Sequence, residues 1–399
     1  MFKSLSLKVI LFGFIFTFFS SFGQSFFLGL FNSSIRDTLS ITQGQFGTIY
    51  ASATLLSSFL LIWVGKKIDD INIFKFAFFV TLLLSFSCFF FSKISSIAFL
   101  FIAIFLMRFS GQGMMSHTAT TTISRYFTKS RGKALSTSWF GLSTAEFILP
   151  VLIVYLLTIT AWQNIWVSIS ILVLIFLPIT SFALVKNLNF DSREETKKED
   201  NKNIKQWKRI DVLKDYRFYV VCLNMLAMPW IATGVFVYQS FITESKDWGT
   251  FVIAQSFMVY SILSVITLLV SGFLIDKFTS RKLLIFMNIP LLFSTLVLIF
   301  FHNPLTSFIF LGLIGISNGL ANVLGSSTWA EIYGVKHIGS IKALTTALMV
   351  FSTAFGTALF GLLIDKGYSI EQIAFVSSTY IFLSIVLLFF VRNKLNPQY

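Results

Sequence analysis

Charged side chains are scarce in this sequence. Only 12% of the 399 residues are Asp, Glu, Lys or Arg, whereas 55% are hydrophobic and the mean hydropathy is +0.81. Soluble globular domains carry about 25% charged residues, so a soluble domain is excluded. The sequence therefore predicts a polytopic membrane protein whose immediate partner is the lipid bilayer.

Cysteine and the elements of catalytic centres are also scarce. Cys88 and Cys222 lie in apolar runs without a Cys or His at ligand spacing, so they indicate neither a disulfide framework nor a metal site. No Walker-type loop, His/Asp metal cluster or nucleophile with a nearby base is recognisable. We therefore expect no enzymatic activity, no metal and no cofactor. The formal net charge of +14 does not indicate a nucleic-acid partner, because the basic residues punctuate hydrophobic runs.

Runs of about twenty apolar residues recur along the whole chain, and each is long enough to cross a bilayer as a helix. They cover residues 9–31, 46–64, 74–92, 97–122, 134–157, 163–185, 217–241, 251–274, 283–301, 305–330, 343–364 and 373–391. The predicted fold is all-α, with twelve transmembrane helices. We expect an N-terminal six-helix bundle at 1–185, a solvated cytoplasmic linker at 186–216 and a C-terminal six-helix bundle at 217–399.

The distribution of basic residues predicts the orientation. With the N-terminus in the cytoplasm, 26 of the 31 Lys and Arg residues lie on the cytoplasmic side, and Arg108 lies within the membrane. Cytoplasmic loops of membrane proteins carry an excess of Lys and Arg. Both termini are therefore predicted to be cytoplasmic.

The two halves share landmarks. Gly65-Lys-Lys-Ile-Asp69 follows the second run and Gly272-Phe-Leu-Ile-Asp276 follows the eighth, at an offset of 207 residues, and Gly113 corresponds to Gly319 at an offset of 206. This pattern indicates an internal duplication. Duplicated six-helix halves are typical of proteins that rock around a central site.

At these residues the chain resembles the major facilitator superfamily of secondary transporters over essentially its full length. The Gly-x-x-x-Asp loops resemble one signature, and Arg108-x-x-Gly111-x-Gly113 resembles a second, whose arginine is implicated in proton coupling or substrate handling. Two short stretches, GQSFFLGLF at residues 23–31 and RYFTKSRGKA at residues 125–134, are similar to bacterial monocarboxylate and oxalate/formate carriers. The resemblance implies a monomer in a bacterial cytoplasmic (inner) membrane. It also implies a gating motif made of Gly65, Asp69, Arg125, Arg131, Gly272, Asp276 and Lys277.

Arg108 and Glu146 lie near the middle of predicted spans, where a charge costs about 3 to 10 kcal/mol. Arg108 has five donors, which suit either a substrate carboxylate or an ion pair with Glu146. Glu146 is the candidate proton carrier. On a regular α-helix Gln112 and Met115 share the face of Arg108.

Other polar residues complete the candidate site. His117, nine residues after Arg108, would on a regular α-helix point away from it or pack near Thr120 and Thr121, and we expect it to be a structural residue. Gln24, Asn318 and Asn322 are further candidates for contact with the substrate. Gln24 and Asn318 lead, because the first and tenth helices line the cavity in the family that the chain resembles.

The first functional hypothesis is therefore alternating-access transport of a small organic anion, monocarboxylate-like, by symport with protons. Proton-driven efflux of amphipathic or neutral compounds is an alternative, and a neutral solute fits equally well if Arg108 and Glu146 neutralise each other. A non-transporting sensor on the same scaffold is a further alternative.

Overall fold

A computed structural model gives the architecture of the protein and describes residues 4–127, 131–186, 207–334 and 336–396. Every regular element in these ranges is a helix, and twelve segments are long and apolar enough to cross a membrane, as predicted. Spans 1 to 6 are Leu5–Gly29, Gln43–Asp69, Ile73–Phe91, Ile97–Tyr126, Gly132–Ile159 and Trp162–Val185. Spans 7 to 12 are Tyr216–Val237, Thr250–Ile275, Ser280–Phe300, Thr306–Tyr333, Ser340–Asp365 and Ile370–Lys394.

The chain divides into two compact units of six spans each. Unit 1 covers Met1–Lys197 and unit 2 covers Lys198–Tyr399. Most of the predicted linker, residues 187–206, lies outside the described residues. From Trp207 onward the chain packs into unit 2, because the Trp207 side chain is buried in a core cluster of that unit.

Short helices connect some of the spans. They are Asn32–Leu39 after span 1, Arg209–Leu213 before span 7 and Gln239–Ser245 after span 7. Spans 2 and 12 begin with capping boxes, in which a hydroxyl and a glutamine each bond the other residue's backbone N–H. These caps satisfy donors that would otherwise be left unpaired at the helix start.

Glycines allow two corresponding pairs of spans to pack backbone against backbone. A Cβ atom on Gly141 of span 5 would overlap the carbonyl of Phe14 in span 1, and a Cβ on Gly356 of span 11 would overlap that of Trp230 in span 7. The residues of these two contacts are 215 (141 to 356) and 216 (14 to 230) positions apart. Each unit therefore brings its first and fifth spans together in the same way, as a duplication requires.

A buried polar network joins the start of span 7 to the end of span 12. Arg217 Nε donates to both carboxylate oxygens of Asp215, at 2.8 and 3.1 Å, and its Nη1 donates to the Lys394 carbonyl at 2.9 Å. Tyr333 at the end of span 10 also donates to Asp215, at 3.1 Å. The network therefore fixes three segments of unit 2 to one another.

We predict that Gly141→Ala destabilises the protein, whereas Gly132→Ala in the same helix does not. The first change forces spans 1 and 5 apart, and overpacking of this kind costs about 1–3 kcal/mol. A Cβ on Gly132 meets no atom within 4 Å. The midpoint of thermal unfolding in detergent checks this expectation. Equal midpoints for the two variants would show that the contact between spans 1 and 5 is not tight.

Candidate functional site

Arg108 lies in the middle of span 4, where the helix changes its winding. Span 4 is α-helical over Ile97–Met107, π-helical over Arg108–Met115 and α-helical again over Ser116–Tyr126. Two turns of a π-helix take about nine residues instead of about seven, because its hydrogen bonds run from i to i+5. The π-helical segment therefore changes which residues share a face with Arg108.

The expectation that His117 points away from Arg108 is consequently wrong. Arg108 lies over the ring of Tyr50, and His117 Nε2 donates to the Gly65 carbonyl at 2.9 Å. Tyr50 and Gly65 both belong to span 2. The side chains of Arg108 and His117 therefore both contact span 2. Met115 is fully buried.

Span 1 is broken at the level of Arg108. Its helix ends at Ser20, a single 3₁₀ turn covers Ser21–Gly23, and Gln24 has extended backbone angles of φ −83° and ψ 154° before the helix resumes. A Cβ on Gly111 would lie 2.6 Å from the Gly23 nitrogen. The break in span 1 and the π-helix in span 4 therefore touch through two glycines, and only residues without a Cβ fit there.

The guanidinium of Arg108 binds to this break. Nη1 donates to the Gly23 carbonyl at 3.0 Å and to the Ser25 hydroxyl at 3.3 Å, and the guanidinium carbon lies 5.4 Å from the centre of the Tyr50 ring. The Tyr50 hydroxyl also donates to Ser25 Oγ, at 3.0 Å. A backbone carbonyl freed at membrane depth needs a donor, and Arg108 supplies it.

This cluster contains more donors than acceptors. Arg108 is only 3% exposed, and its Nε has no hydrogen-bond partner among the described residues. Ser25 Oγ already accepts two hydrogen bonds, so its own hydrogen is available for another acceptor. Within the described ranges no carboxylate oxygen lies within 4.0 Å of the guanidinium. The arrangement is suited to an additional group that only accepts, such as an anion.

Glu146 does not form an ion pair with Arg108. It is 8% exposed in span 5, inside the helix Arg131–Ile159. None of the ion pairs that join described residues involves it. The structure therefore does not contain the neutralising pair with Glu146. The guanidinium of Arg108 instead contacts neutral acceptors, the Gly23 carbonyl and the Ser25 hydroxyl.

The remaining predicted contact residues divide between the two units. In unit 1 Gln24 is half-buried at the break, and Gln112 is half-buried in the π-helix, with its backbone nitrogen against Gly23. In unit 2 Asn318 donates to Ser264 Oγ at 3.0 Å and so ties span 10 to span 8, whereas Asn322 is exposed.

Span 4 also holds the predicted gating loop of unit 1. Arg125 Nη1 donates to the Ile68 carbonyl at 3.0 Å, and Nη2 pairs with the Asp69 carboxylate. His117 also donates to the carbonyl of Gly65. These contacts therefore hold the loop at its first residue, Gly65, and at its last two residues, Ile68 and Asp69. The side chains of Arg131 and Asp276 lie outside the described residues, so their predicted roles are not visible.

In unit 2 the corresponding loop is held by a residue that sequence reasoning missed. Glu331 at the end of span 10 accepts the backbone N–H groups of Ser280 at 2.8 Å and Arg281 at 3.2 Å. The predicted Lys277 is exposed and lies over the Phe278 ring, and a Cβ on Gly272 would meet open space. The internal repeat indicates Glu331. Glu331 lies 206 residues after Arg125, and the same offset relates Gly113 to Gly319.

Comparisons with known proteins agree with this fold. The sequence model of the Major Facilitator Superfamily matches residues 13–263 and 219–398. A bacterial homolog of the human lysosomal transporter Spinster, inward-facing and unoccupied, aligns with a TM-score of 0.75 and 11% identity over 100% of both chains. The nucleoside transporter NupG aligns with a TM-score of 0.71 and 13% identity, over 98% of this chain and 99% of that one. No curated protein matches the sequence.

The fold and the buried site together define a multi-pass membrane protein of the transporter class. The chain belongs to the Major Facilitator Superfamily. As a member, it moves a small solute across a membrane by alternating access.

Proposed function

We propose that the protein carries a small organic anion, monocarboxylate-like, together with protons. The observation that carries this proposal is the buried Arg108, which has an unpartnered Nε and only neutral contacts among the described residues. A cation at membrane depth is kept where it meets a substrate or a partner charge. A carboxylate would supply the missing charge and would take two parallel hydrogen bonds from the guanidinium.

Substrate binding would then act on the break in span 1. The anion and the Gly23 carbonyl compete for Arg108, and a charged acceptor forms the stronger hydrogen bond. Once released, the carbonyl must find another donor, since an unpaired backbone group is costly away from water. We therefore infer that occupancy by an anion rearranges the break, which couples the site to the movement of span 1.

Glu146 is the proposed proton carrier. It is buried, and no cation lies within ion-pair distance of it among the described residues. A positioned carboxyl group can take up a proton and release it again. In a symport cycle the proton would enter with the anion and leave with it.

The other proposed roles follow the same division. Gln24, Gln112, Asn318 and Asn322 are the other proposed substrate contacts. The proposed gating residues are Gly65, Asp69, Arg125, Arg131, Gly272, Asp276 and Lys277, to which the loop contacts of Arg125 lend support. The proposed location is the cytoplasmic membrane of a bacterium, with cytoplasmic termini and a monomeric state.

A neutral solute is the second candidate. One of the similar structures is a nucleoside transporter, and the Tyr50 ring beside Arg108 offers an aromatic surface for a ring-shaped or amphipathic compound. In that case the guanidinium would serve only to hold the break in span 1.

Substitution of Arg108 separates these candidates. We predict that small carboxylates raise the thermal unfolding midpoint of the wild type, since a ligand at about 100 times its Kd contributes about 2.7 kcal/mol. Arg108→Ala abolishes this effect, and Arg108→Lys retains part of it, because lysine keeps the charge but lacks the planar fork. Lys93→Ala, an exposed cation, is the control. Equal stabilisation of wild type and Arg108→Ala by any solute would assign Arg108 to structure alone.

Substitution of Glu146 tests the proton. In proteoliposomes we predict that an inward proton gradient drives carboxylate accumulation by the wild type and by Glu244→Gln, an exposed control. Glu146→Gln carries no exchangeable proton, so it loses gradient-driven accumulation while it still exchanges internal for external carboxylate. Undiminished accumulation by Glu146→Gln would contradict the proposed role.

A further inference from the structure

We propose that unit 2 carries a binding surface for the headgroups of anionic phospholipids, at the end where span 7 begins and span 12 ends. We call this surface the basic rim. It consists of five exposed cationic residues, Lys208, Arg209, Lys214, Arg392 and Lys394. The inference concerns the surface of unit 2 and does not depend on which solute is carried.

The acidic residues of these two segments do not neutralise the rim. Asp211 accepts the backbone N–H of Lys208 at 3.2 Å and so caps the short helix Arg209–Leu213. Asp215 is buried and forms an ion pair with Arg217. Among the described residues of these two segments, five positive charges and one carboxylate are therefore exposed. Clusters of Lys and Arg directly beside a membrane span attract anionic lipids.

The rim is held in place by the buried network beneath it. Arg217 Nη1 donates to the carbonyls of Lys394 at 2.9 Å and Asn396 at 3.3 Å, which ties the chain after span 12 to the start of span 7. Val212 and Leu395, one from each segment, are fully buried in the same hydrophobic cluster. The cations are therefore carried on a fixed support, and less ordering is needed when a headgroup binds.

Exposed apolar side chains beside the rim indicate lipid rather than a free ion. Ile210 is 68% exposed, and Tyr216 at the start of span 7 is 53% exposed. Phe390 near the end of span 12 is 73% exposed, and Arg392 lies 3.9 Å from the Phe389 ring centre. Tyrosine is typical of the membrane–water boundary, and basic residues beside apolar ones are typical of segments that lie in it. An anionic phospholipid matches both the cations, through its phosphodiester, and the apolar side chains, through its acyl chains. Inorganic phosphate matches only the cations.

The test uses the full chain in phosphatidylcholine vesicles that contain spin-labelled phosphatidylglycerol or spin-labelled phosphatidylcholine. The fraction of motionally restricted label measures how strongly each lipid associates with the protein. We expect the wild type to prefer phosphatidylglycerol. The variant Lys214→Gln/Arg392→Gln/Lys394→Gln should lose about tenfold or more of that preference.

A matched variant controls for charge alone. Lys8→Gln/Lys93→Gln/Lys366→Gln removes three exposed cations that are far apart in the sequence and do not form a cluster, so it should retain the preference. Ile210→Ser, which changes an exposed side chain, should weaken it without any change of charge. Inorganic phosphate should leave the restricted fraction of phosphatidylglycerol unchanged.

Three results would overturn the proposal. The first is an undiminished preference in the rim variant. The second is an equal loss in both triple variants, which would reflect general surface charge. The third is displacement of phosphatidylglycerol by inorganic phosphate, which would assign the rim to a free anion.

Discussion

The guanidinium of Arg108 at membrane depth is the constraint on which the architecture of unit 1 depends. A buried cation needs acceptors, and the structure supplies them by interrupting span 1 so that the Gly23 carbonyl is free to accept. The interruption is possible because Gly23 and Gly111 allow spans 1 and 4 to approach closely. Ser25 and Tyr50 complete the set of contacts. The charge, the break and the π-helix therefore form one arrangement, in which a change to one part disturbs the others.

The large-scale fold followed from the sequence because hydrocarbon imposes one rule on every span. Backbone groups without water must bond within a helix, so a run of about twenty apolar residues predicts a span wherever it occurs. The same rule gave no hint of the break at Ser21–Gly23 or of the π-helix at Arg108–Met115. Both depend on contacts between distant segments, which hydropathy does not record. The wrong orientation predicted for His117 had this origin, since it assumed a regular α-helix.

The site itself was predictable only in part. Arg108 and Glu146 stood out because a charge in an apolar run is costly, whatever the fold around it. Ser25 and Tyr50 carry no such signal, because a serine or tyrosine in a membrane helix is ordinary. The duplication also predicts a loop-binding residue at position 331, because Glu331 corresponds to Arg125 at an offset of 206 residues. Arg125 and Glu331 occupy corresponding positions and hold corresponding loops with opposite charges, one binding a carbonyl and a carboxylate, the other binding two backbone N–H groups.

The proposal that Arg108 binds the negative charge of the substrate is tested most directly with a pair of isosteric solutes. Propionate and propionamide have nearly the same size and shape, but only propionate is charged. Uptake of each labelled compound into proteoliposomes containing the wild-type protein would be measured under the same proton gradient. The account predicts that the carboxylate class accumulates and that the carboxamide does not. Accumulation of both compounds, or of propionamide alone, would contradict a site built around a guanidinium that has no carboxylate partner among the described residues.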